Sequence, residues 1–448
     1  MKTLLLALLL TLGGVAVAQD TDEDALFGGD GIVQDEGNGE GGGSSDDESL
    51  FGGDGGELFT DVEETDSTDP SAALLEGGTT LGGNFSFSVE GALESDPEGE
   101  ATFSSGTADL ETRLFIDARP QRDFRVFVGG DLEYSTVSGG LFALDELFAD
   151  VELGNVFVRA GKQTVNWGVG YFYSPANLIN LERIDPENPD EELSGPPALR
   201  AQLPLGSDNL TGYVLTDDLA EDLNLSAAAR YETLLSGFEV TTGGVAEESG
   251  AWAVMGTATG SVSDVTVFGE AVLEGNTDKV FVFGDGTAPL GLGTTRSEDL
   301  FFSGTLGGRY TYEPDDERSS ITATAQYFFN GKGYADLDLF TNNPEAVAAL
   351  VGSGALRPDD LRERGQHYLG VNVMAPEVDE SDFTPSALWL ANLSDGSGLV
   401  NARLEYSLGD FLTPRLEYRF RYGETGSEYN PAGERHSLTV GLDVSGKF

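Results

Sequence analysis

The sequence predicts an all-β fold: a transmembrane antiparallel up-and-down β-barrel of about 18 strands (range 14–18), with a disordered acidic N-terminal segment. Three observations indicate it: an export signal at the N-terminus, short runs of apolar/polar alternation along the chain, and a closing strand that ends on an aromatic residue. The expected parts are a signal peptide at 1–18, a disordered acidic Gly-rich periplasmic segment at 19–75, and an outer-membrane β-barrel at 76–448.

The first eighteen residues have the three regions of a secretory signal. Lys2 supplies the positive charge, residues 4–12 form an apolar run interrupted only by Thr11, and Ala16-Val17-Ala18 is a small-residue cleavage site. The apolar run is shorter than the roughly 20 residues that a membrane-spanning helix needs. We therefore expect a cleaved signal. The sequence has no cysteine, which excludes a lipid-anchored N-terminal cysteine, disulfides and cysteine metal sites.

The net charge of the chain is −54, which argues against a nucleic-acid partner because a phosphate backbone would be repelled. Much of this acidity lies in the segment that follows the signal, where residues 20–69 hold eighteen Asp or Glu and no Lys or Arg. Such a segment buries too little apolar surface to offset its chain entropy, so disorder is predicted. Its Leu-Phe-Gly-Gly-Asp-Gly sequence occurs twice, at 26–31 and 50–55. Two interpretations stay open: a docking motif for a periplasmic partner, or drift in a low-complexity linker.

Apolar/polar alternation indicates eighteen candidate strands after residue 80, because side chains of a strand point alternately to opposite faces. Their spans are 82–93, 108–118, 123–135, 143–153, 155–163, 198–205, 209–217, 223–233, 236–243, 250–261, 264–274, 299–312, 319–330, 366–376, 384–393, 398–408, 411–422 and 436–448. Connections after even-numbered candidates are short, whereas the long connections (164–197, 275–298 and 331–365) follow odd-numbered ones. This alternation is typical of outer-membrane barrels, which have short periplasmic turns and longer outer loops.

The last strand carries the most specific signal. Leu438, Val440, Leu442 and Val444 share one parity with the terminal Phe448, and polar residues occupy most of the other parity. One apolar and one polar face suit lipid outside the barrel and water inside it. The terminal aromatic resembles the signal that barrel-assembly machinery reads, so Phe448 is the predicted assembly signal.

The same parity argument selects residues that point into the predicted lumen. Charged side chains at mid-depth cannot face lipid without a cost of about 2–4 kcal/mol. The predicted pore-lining residues are Arg113, Arg125, Arg159, Arg309, Arg403, Arg415, Glu417, Arg419 and Arg421. Two interpretations stay open for this enrichment: it follows from the geometry of any barrel, or it forms an arginine ladder that orients polar or anionic solutes.

Two short motifs resemble a little-characterised family of porin-like outer-membrane barrels. The first is Gly161-Lys162-Gln163 followed by Trp167-Gly168, similar to the G-[RK]-Q-x-x-x-W-G strand end of that family, although Leu181 follows Asn180 where the family has proline. The second, the aromatic-N-G-x-G-Y segment at 327–334, also resembles alginate-export-like barrels. The resemblance implies passive passage of solute without naming one. The acidic loop behind the first motif either folds inward or lies on the surface, and its aromatic residues are expected to belong to the interfacial girdle.

No enzyme, cofactor or metal site is predicted. His367 and His436 are the only histidines, and Ser437 adjoins His436 on the opposite face of a strand, which makes a poor catalytic pair. The predicted function is a monomeric or trimeric outer-membrane channel for passive diffusion of small hydrophilic solutes. Its expected partners are outer-membrane lipid, the assembly machinery and those solutes. The alternative is a non-conducting structural or adhesin-type barrel, and an outer-membrane hydrolase is a more distant one.

Overall fold

The computed structural model of the chain describes residues 78–448, apart from 96–98, 104–105, 122, 192, 217–223, 289–290, 315–319, 377, 379–380, 410, 432 and 434–435. The predicted signal peptide at 1–18 and the predicted acidic segment at 19–75 lie outside the described residues. Everything below concerns the described part of the chain.

The described chain is built almost entirely of strands. They are β1 (Thr79–Ser95), β2 (Ala101–Phe103), β3 (Thr107–Gln121), β4 (Phe124–Ser135), β5 (Gly139–Leu153), β6 (Val156–Lys162), β7 (Pro197–Leu205), β8 (Asp208–Thr216), β9 (Leu225–Leu235), β10 (Phe238–Glu247), β11 (Trp252–Val262), β12 (Val265–Gly275), β13 (Val280–Gly284), β14 (Leu292–Arg296), β15 (Leu300–Tyr312), β16 (Ile321–Phe329), β17 (His367–Met374), β18 (Phe383–Asn392), β19 (Ser397–Tyr406), β20 (Leu412–Tyr422) and β21 (His436–Lys447).

Eighteen of these strands form one closed antiparallel barrel in chain order. The ring closes where β1 pairs with β21 over twelve residues, from Asn84 opposite Lys447 to Ser95 opposite His436. The short strand β2 pairs only with the end of β1, and β13 and β14 form a separate hairpin. Closure leaves the sheet without an open edge, which a barrel in lipid requires.

The structure confirms the predicted fold class and strand count. Each of the eighteen candidate spans overlaps one barrel strand, with ends that differ by a few residues. Short turns such as Gly154-Asn155, Gly206-Ser207 and Ser236-Gly237 gather at one end, and the long connections gather at the other. We call these the short-turn end and the long-loop end.

The outward face of the wall is apolar. Val440 is 60% exposed, and Leu416, Leu438 and Leu442 on the same side of β20 and β21 are exposed as well. Exposed aromatic residues form two belts: Phe302, Tyr327, Trp389 and Tyr418 near the long-loop end, and Phe157, Tyr312, Phe383 and Phe411 near the short-turn end. An apolar band between two aromatic belts is typical of a barrel that sits in a membrane.

The helices of the described chain are α1 (Asp338–Thr341), α2 (Pro344–Gly352) and a 3₁₀ turn (Pro358–Leu361), all between β16 and β17. Among the described residues, no helix combines the length and the apolar character needed to cross a membrane. These helices pack against the β13–β14 hairpin around Val282, Leu292, Phe340, Val347 and Leu356. We call residues 279–296 and 334–361 the outer cap.

Candidate functional site

The connection between β6 and β7, residues 163–196, folds into the barrel, and we call it the inner loop. Its contacts fall on strands far apart around the ring. The carbonyl of Asn166 accepts a hydrogen bond from Arg230 on β9, and Glu187 pairs with Arg419 on β20 at 3.2 Å. A segment that reaches both β9 and β20 has to cross the interior. Of the two interpretations left open by the sequence, the inward one is therefore correct.

Glu270, on the inner face of β12, holds the first half of the inner loop. Its carboxylate accepts hydrogen bonds from the backbone amides of Val169, Gly170 and Ala176 and from the hydroxyl of Ser174. The Ala176 and Ser174 bonds are each 2.9 Å long. Glu270 is buried, and donors of this number are what a buried carboxylate requires. The loop is thus bent around one acidic side chain.

Gln326, on the inner face of β16, holds the adjoining residues. Its Oε1 accepts hydrogen bonds from the amides of Tyr171 at 2.9 Å and Phe172 at 2.7 Å, and its Nε2 donates to the carbonyl of Tyr173. The Phe172 ring lies over Gly370 on β17, where an added Cβ would come within 2.4 Å of the ring. A glycine at position 370 therefore makes room for the loop.

An apolar cluster fills the space between the inner loop and one side of the wall. Trp167 is 3% exposed and meets the ring of Tyr213 on β8 edge to face, with centroids 5.7 Å apart. The cluster comprises Val165, Trp167, Ala176 and Ile179 of the loop with Ala198, Tyr213, Leu215, Ala228, Ala253, Met255 and Val272 of β7, β8, β9, β11 and β12. The expectation that these loop aromatics belong to the interfacial girdle is wrong: they pack inside the barrel, because the loop turns inward.

The first motif explains how the chain turns inward. Gly161 has φ +136°, and an added Cβ would meet the Leu147 carbonyl oxygen at 2.0 Å, so only glycine fits between β5 and β6 there. The buried amide of Gln163 donates to the carbonyls of Gly161 and Ala198, both at 3.3 Å. The motif thus ends β6 and directs the chain toward the interior.

The second motif organises the start of the β16–β17 connection. Asn330 donates to the carbonyl of Glu363 at 2.7 Å and accepts from the amide of Lys332 at 3.0 Å. The hydroxyl of Tyr334 accepts a hydrogen bond from the amide of Val282 at 2.7 Å, which joins this connection to the β13–β14 hairpin. These contacts place the outer cap beside the top of the wall.

Tyrosines tie the inner loop to the far wall and to a second connection. The Tyr171 hydroxyl donates to Asp190 at 3.2 Å, and the guanidinium of Arg309 lies over the Tyr171 ring, 5.0 Å from its centroid. Burial, followed by the charge of Asp190, raises the pKa of Tyr171 to about 12, so the hydroxyl stays neutral at physiological pH. Tyr173 shares a 2.9 Å hydrogen bond with Tyr429 of the β20–β21 connection.

Most of the predicted arginines at the end of the chain lie in ion pairs on the inner face. Arg403 donates to Glu417 at 2.9 Å, and Arg419 bonds both Glu417 at 3.3 Å and Glu187 of the inner loop. Arg415 pairs with Glu90 of β1 at 2.5 Å and with Asp443 of β21 at 3.5 Å. Arg421 lies opposite Leu399 in the β19–β20 register. The row therefore alternates cations with carboxylates across the seam of the barrel.

The predicted arginines of β3–β6 form a second charged group. Arg125 donates to Asp117 at 2.9 Å and Arg159 to Asp150 at 2.7 Å. The guanidinium of Arg159 also lies 3.9 Å from the centroid of the Phe148 ring. Arg113 lies opposite Asp131 in the β3–β4 register. Arg309, on β15, is apart from both groups: its Nε donates to Thr324 at 3.0 Å, and it faces the inner loop.

The two histidines occupy equivalent places on the outward side near the long-loop end. Nδ1 of His367 is 2.7 Å from the hydroxyl of Tyr327, and Nδ1 of His436 is 2.8 Å from that of Tyr418. Across the described residues, no group of three or more His, Cys, Asp or Glu side chains is arranged to hold a metal ion.

Sequence reasoning did not identify Glu270 and Gln326. Both stand on the inward parity of their strands, Glu270 between Phe268 and Val272 of β12 and Gln326 between Thr324 and Phe328 of β16. A polar residue between apolar or small inward neighbours was the available signal. It does not single out a loop contact, because Glu274 of β12 has the same parity and pairs instead with Lys332. The partners of Glu270 and Gln326 lie about a hundred residues or more away in sequence, which only the structure reveals.

Comparison with known proteins gives distant likenesses only. No family model and no curated protein matches the sequence. Among solved structures, Acinetobacter baumannii OccAB1 is 11% identical with a TM-score of 0.47, over 82% of this chain and 97% of that one. Pseudomonas aeruginosa OccK11 (OpdR) is 8% identical with a TM-score of 0.47, over 84% and 99%. The Pseudomonas aeruginosa outer membrane protein opdK has 8% identity and a TM-score of 0.47, over 82% and 99%.

Proposed function

We propose that this chain is a porin-like channel of the bacterial outer membrane, through which small hydrophilic solutes diffuse passively. The observation that carries the proposal is a closed barrel of eighteen strands with an apolar outward face, charged groups inside and a polypeptide loop folded into its interior. An apolar exterior needs lipid around it, and a charged interior needs water within it.

The proposed pore-lining residues are Arg113, Arg125, Arg159, Arg309, Arg403, Arg415, Glu417, Arg419 and Arg421. Their support is the placement of Arg403, Arg415 and Arg419 in ion pairs that remain partly exposed, with side chains 20–39% accessible. Partly exposed pairs inside a closed wall are expected to contact the water of a passage. The inner loop, held by Glu270 and Gln326, sets the width of that passage.

The proposed partners follow from the same features. The outward face contacts outer-membrane lipid, and Phe448 presents the assembly signal at the end of β21. In the folded barrel the amide of Phe448 donates to the Gly83 carbonyl at 2.9 Å, and its own carbonyl accepts from the Gly83 amide at 3.0 Å. The resemblance of residues 161–168 and 327–334 to porin-like and alginate-export-like barrels is part of this proposal. A periplasmic partner of the acidic segment is proposed as well.

Conductance of the purified full-length protein in a planar bilayer tests the proposal. We expect discrete steps of stable current in simple salt, because the ions of a small salt are the smallest hydrophilic solutes. The alternative, a non-conducting structural or adhesin-type barrel, predicts inserted protein without current. Folding is verified by heat-modifiable migration and insertion by flotation of the protein with lipid vesicles, so an absence of current in inserted protein refutes the channel.

A further inference from the structure

Residues 423–431, which follow β20, lie against the inner wall, and we call them the latch segment. The carboxyl group of Glu428 holds this segment to two strands at once. Its Oε2 accepts a hydrogen bond from the hydroxyl of Tyr368 on β17 at 2.8 Å and one from the side-chain amide of Asn392 on β18 at 2.8 Å. The Tyr368 hydroxyl accepts in turn from the backbone amide of Gly365 at 2.6 Å. One carboxyl oxygen thus joins the segment to the wall.

The next residue joins the latch segment to the inner loop. The hydroxyl of Tyr429 shares a hydrogen bond of 2.9 Å with that of Tyr173, and the Tyr429 amide donates to Ser397 at 3.3 Å. Tyr173 and Tyr368 belong to one buried cluster, and Tyr429 packs against it. Release of Glu428 from the wall would therefore also loosen the contact between the latch segment and the inner loop.

The charges around Glu428 favour its neutral form. Among the described residues its carboxyl group forms no ion pair. The guanidinium of Arg364, in the β16–β17 connection, lies instead over the Phe340 ring, 5.4 Å from its centroid. Two further acids belong to neighbouring elements: Asp395 of the β18–β19 turn accepts the backbone amide of Glu428 at 3.0 Å, and Glu363 precedes Arg364. A carboxyl group withdrawn from water without an ion pair, beside other acids, resists ionisation.

We propose that Glu428 is a pH-responsive latch: its neutral carboxyl group holds the latch segment on the wall and against the inner loop, and its ionisation releases the segment. A neutral carboxyl group keeps a carbonyl oxygen, which accepts the same two hydrogen bonds from Tyr368 and Asn392. An ionised one gains more from water than these two neutral donors return. The latch requires no current, and only its effect on passage rests on the proposed function.

The direction of the response follows from the pKa of Glu428 in the two positions of the segment. Burial raises the pKa of the seated Glu428 to about 7. The hydrogen bond from Tyr368 and the charge of Arg364 oppose this rise, and the charges of Asp395 and Glu363 add to it. In the released segment the group is in water, where a glutamate has a pKa of about 4.3. Because the seated value is the higher one, seating is strongest below about pH 4. It weakens by up to about tenfold per pH unit until the loss is complete above about pH 7.

The test uses a spin label on the full-length protein, which has no cysteine of its own. The nitroxide is attached to Thr425→Cys, because Thr425 is exposed on the latch segment. The ratio of mobile to immobile label is measured in detergent at about pH 5 and about pH 8, after heat-modifiable migration has verified the barrel. We expect the ratio to rise by about tenfold or more between the two. An unchanged ratio would overturn the proposal.

Variants of the labelled protein identify the group that responds. Glu428→Gln keeps the acceptor oxygen and does not ionise, so its label should stay immobile at both pH values. Glu424→Gln is the matched control, because Glu424 is an exposed acid of the same segment, and it should respond as the wild type does. If Glu428→Gln keeps the wild-type response, a different group senses pH and the latch is refuted.

A second variant tests the hold itself. Glu428→Ala removes the acceptor of both hydrogen bonds, so its label should be mobile at both pH values. An immobile label in Glu428→Ala would show that the carboxyl group does not hold the segment, which also refutes the latch. None of these measurements involves current, so a barrel that responds in this way but does not conduct would refute the channel and leave the latch in place.

Discussion

The inner wall of the barrel has two parts that differ in what covers them. On β7–β12 the inward side chains are mostly small or apolar, and the inner loop packs against them around Trp167. On β19–β21 and β1–β6 the inward side chains include Arg415, Glu417 and Arg159, which lie in partly exposed ion pairs. We call these the loop-covered wall and the charged wall. The parity of a strand tells which residues point inward, whereas their polarity depends on whether polypeptide or water lies against them.

This comparison explains where sequence reasoning succeeded. The alternation of residues 436–448 and the lengths of the connections depend only on the local strand period and on the membrane, so the barrel and its eighteen strands were predictable. The inward placement of Arg403 and Arg419 followed from the same period. Lipid outside the wall requires apolar side chains on the outward parity of every strand, and this requirement can be read from each strand separately.

The loop-covered wall was not predictable in the same way. The inner loop depends on contacts such as Glu270 with Gly170 and Gln326 with Tyr171, which join residues one hundred and 155 positions apart. Aromatic residues next to a strand end can lie either in a membrane girdle or in a buried cluster. The sequence around Trp167 and Tyr173 therefore does not indicate which of the two places they occupy. The direction of the loop is decided by partners on other strands.

The largest expected effect is loss of the whole barrel, which affects the loop-covered wall and the charged wall alike. Deletion of Phe448, or Phe448→Asp, should prevent assembly. The deletion removes two backbone hydrogen bonds with Gly83 where the barrel closes, and both changes remove the terminal aromatic ring that is the predicted assembly signal. We expect the chain to accumulate in the periplasm, measured by cell fractionation and by the absence of heat-modifiable barrel. Phe411→Asp, which changes another exposed aromatic residue at the same end, is the control. Normal barrel after deletion of Phe448 would contradict its role as the assembly signal.

The next effect is confined to the loop-covered wall. Trp167→Ala empties the centre of the apolar cluster, which is expected to cost about 3–5 kcal/mol for a large buried aromatic. We expect a lower temperature of heat-modifiability and faster proteolysis within residues 163–196. Trp389→Ala is the matched control, because Trp389 is 39% exposed on the outward face. Equal losses in the two variants would mean that the cluster does not stabilise the inner loop.

A smaller effect on stability, with a larger effect on current, is expected at Glu270. Glu270→Ala leaves the amides of Val169, Gly170 and Ala176 without their acceptor. The desolvation cost of the buried carboxylate, several kcal/mol, disappears with the carboxylate and offsets much of the lost hydrogen bonding, so the net loss of stability is smaller than for Trp167→Ala. The loop should leave the wall, so single-channel conductance should rise and become noisy. Glu270→Gln keeps one acceptor oxygen, so its single-channel conductance should lie between those of the wild type and of Glu270→Ala.

Glu239→Ala on β10, two strands from β12, serves as the control for that experiment, because it removes a wall carboxylate that none of the described inner-loop hydrogen bonds uses. Its conductance should match the wild type. If Glu270→Ala also conducts like the wild type, the inner loop does not set the width of the passage, even though it lies inside the barrel.

The smallest expected effect concerns the charged wall. Replacement of Arg415, Arg419 and Arg421 together by Ser removes three cations from β20. It breaks the ion pairs of Arg415 with Glu90 and Asp443 and of Arg419 with Glu187, whereas Glu417 keeps its pair with Arg403. The passage should then prefer cations more strongly, and the reversal potential in a salt gradient should move in that direction. Water screens these charges over about 10 Å at 0.1 M salt and about 3 Å at 1 M, so the shift should be clear in dilute salt and nearly vanish in concentrated salt. The barrel should assemble normally, because these pairs are partly exposed and contribute little to stability. An unchanged reversal potential in dilute salt would mean that the ion pairs serve the wall alone, and that solutes cross the barrel without meeting this row.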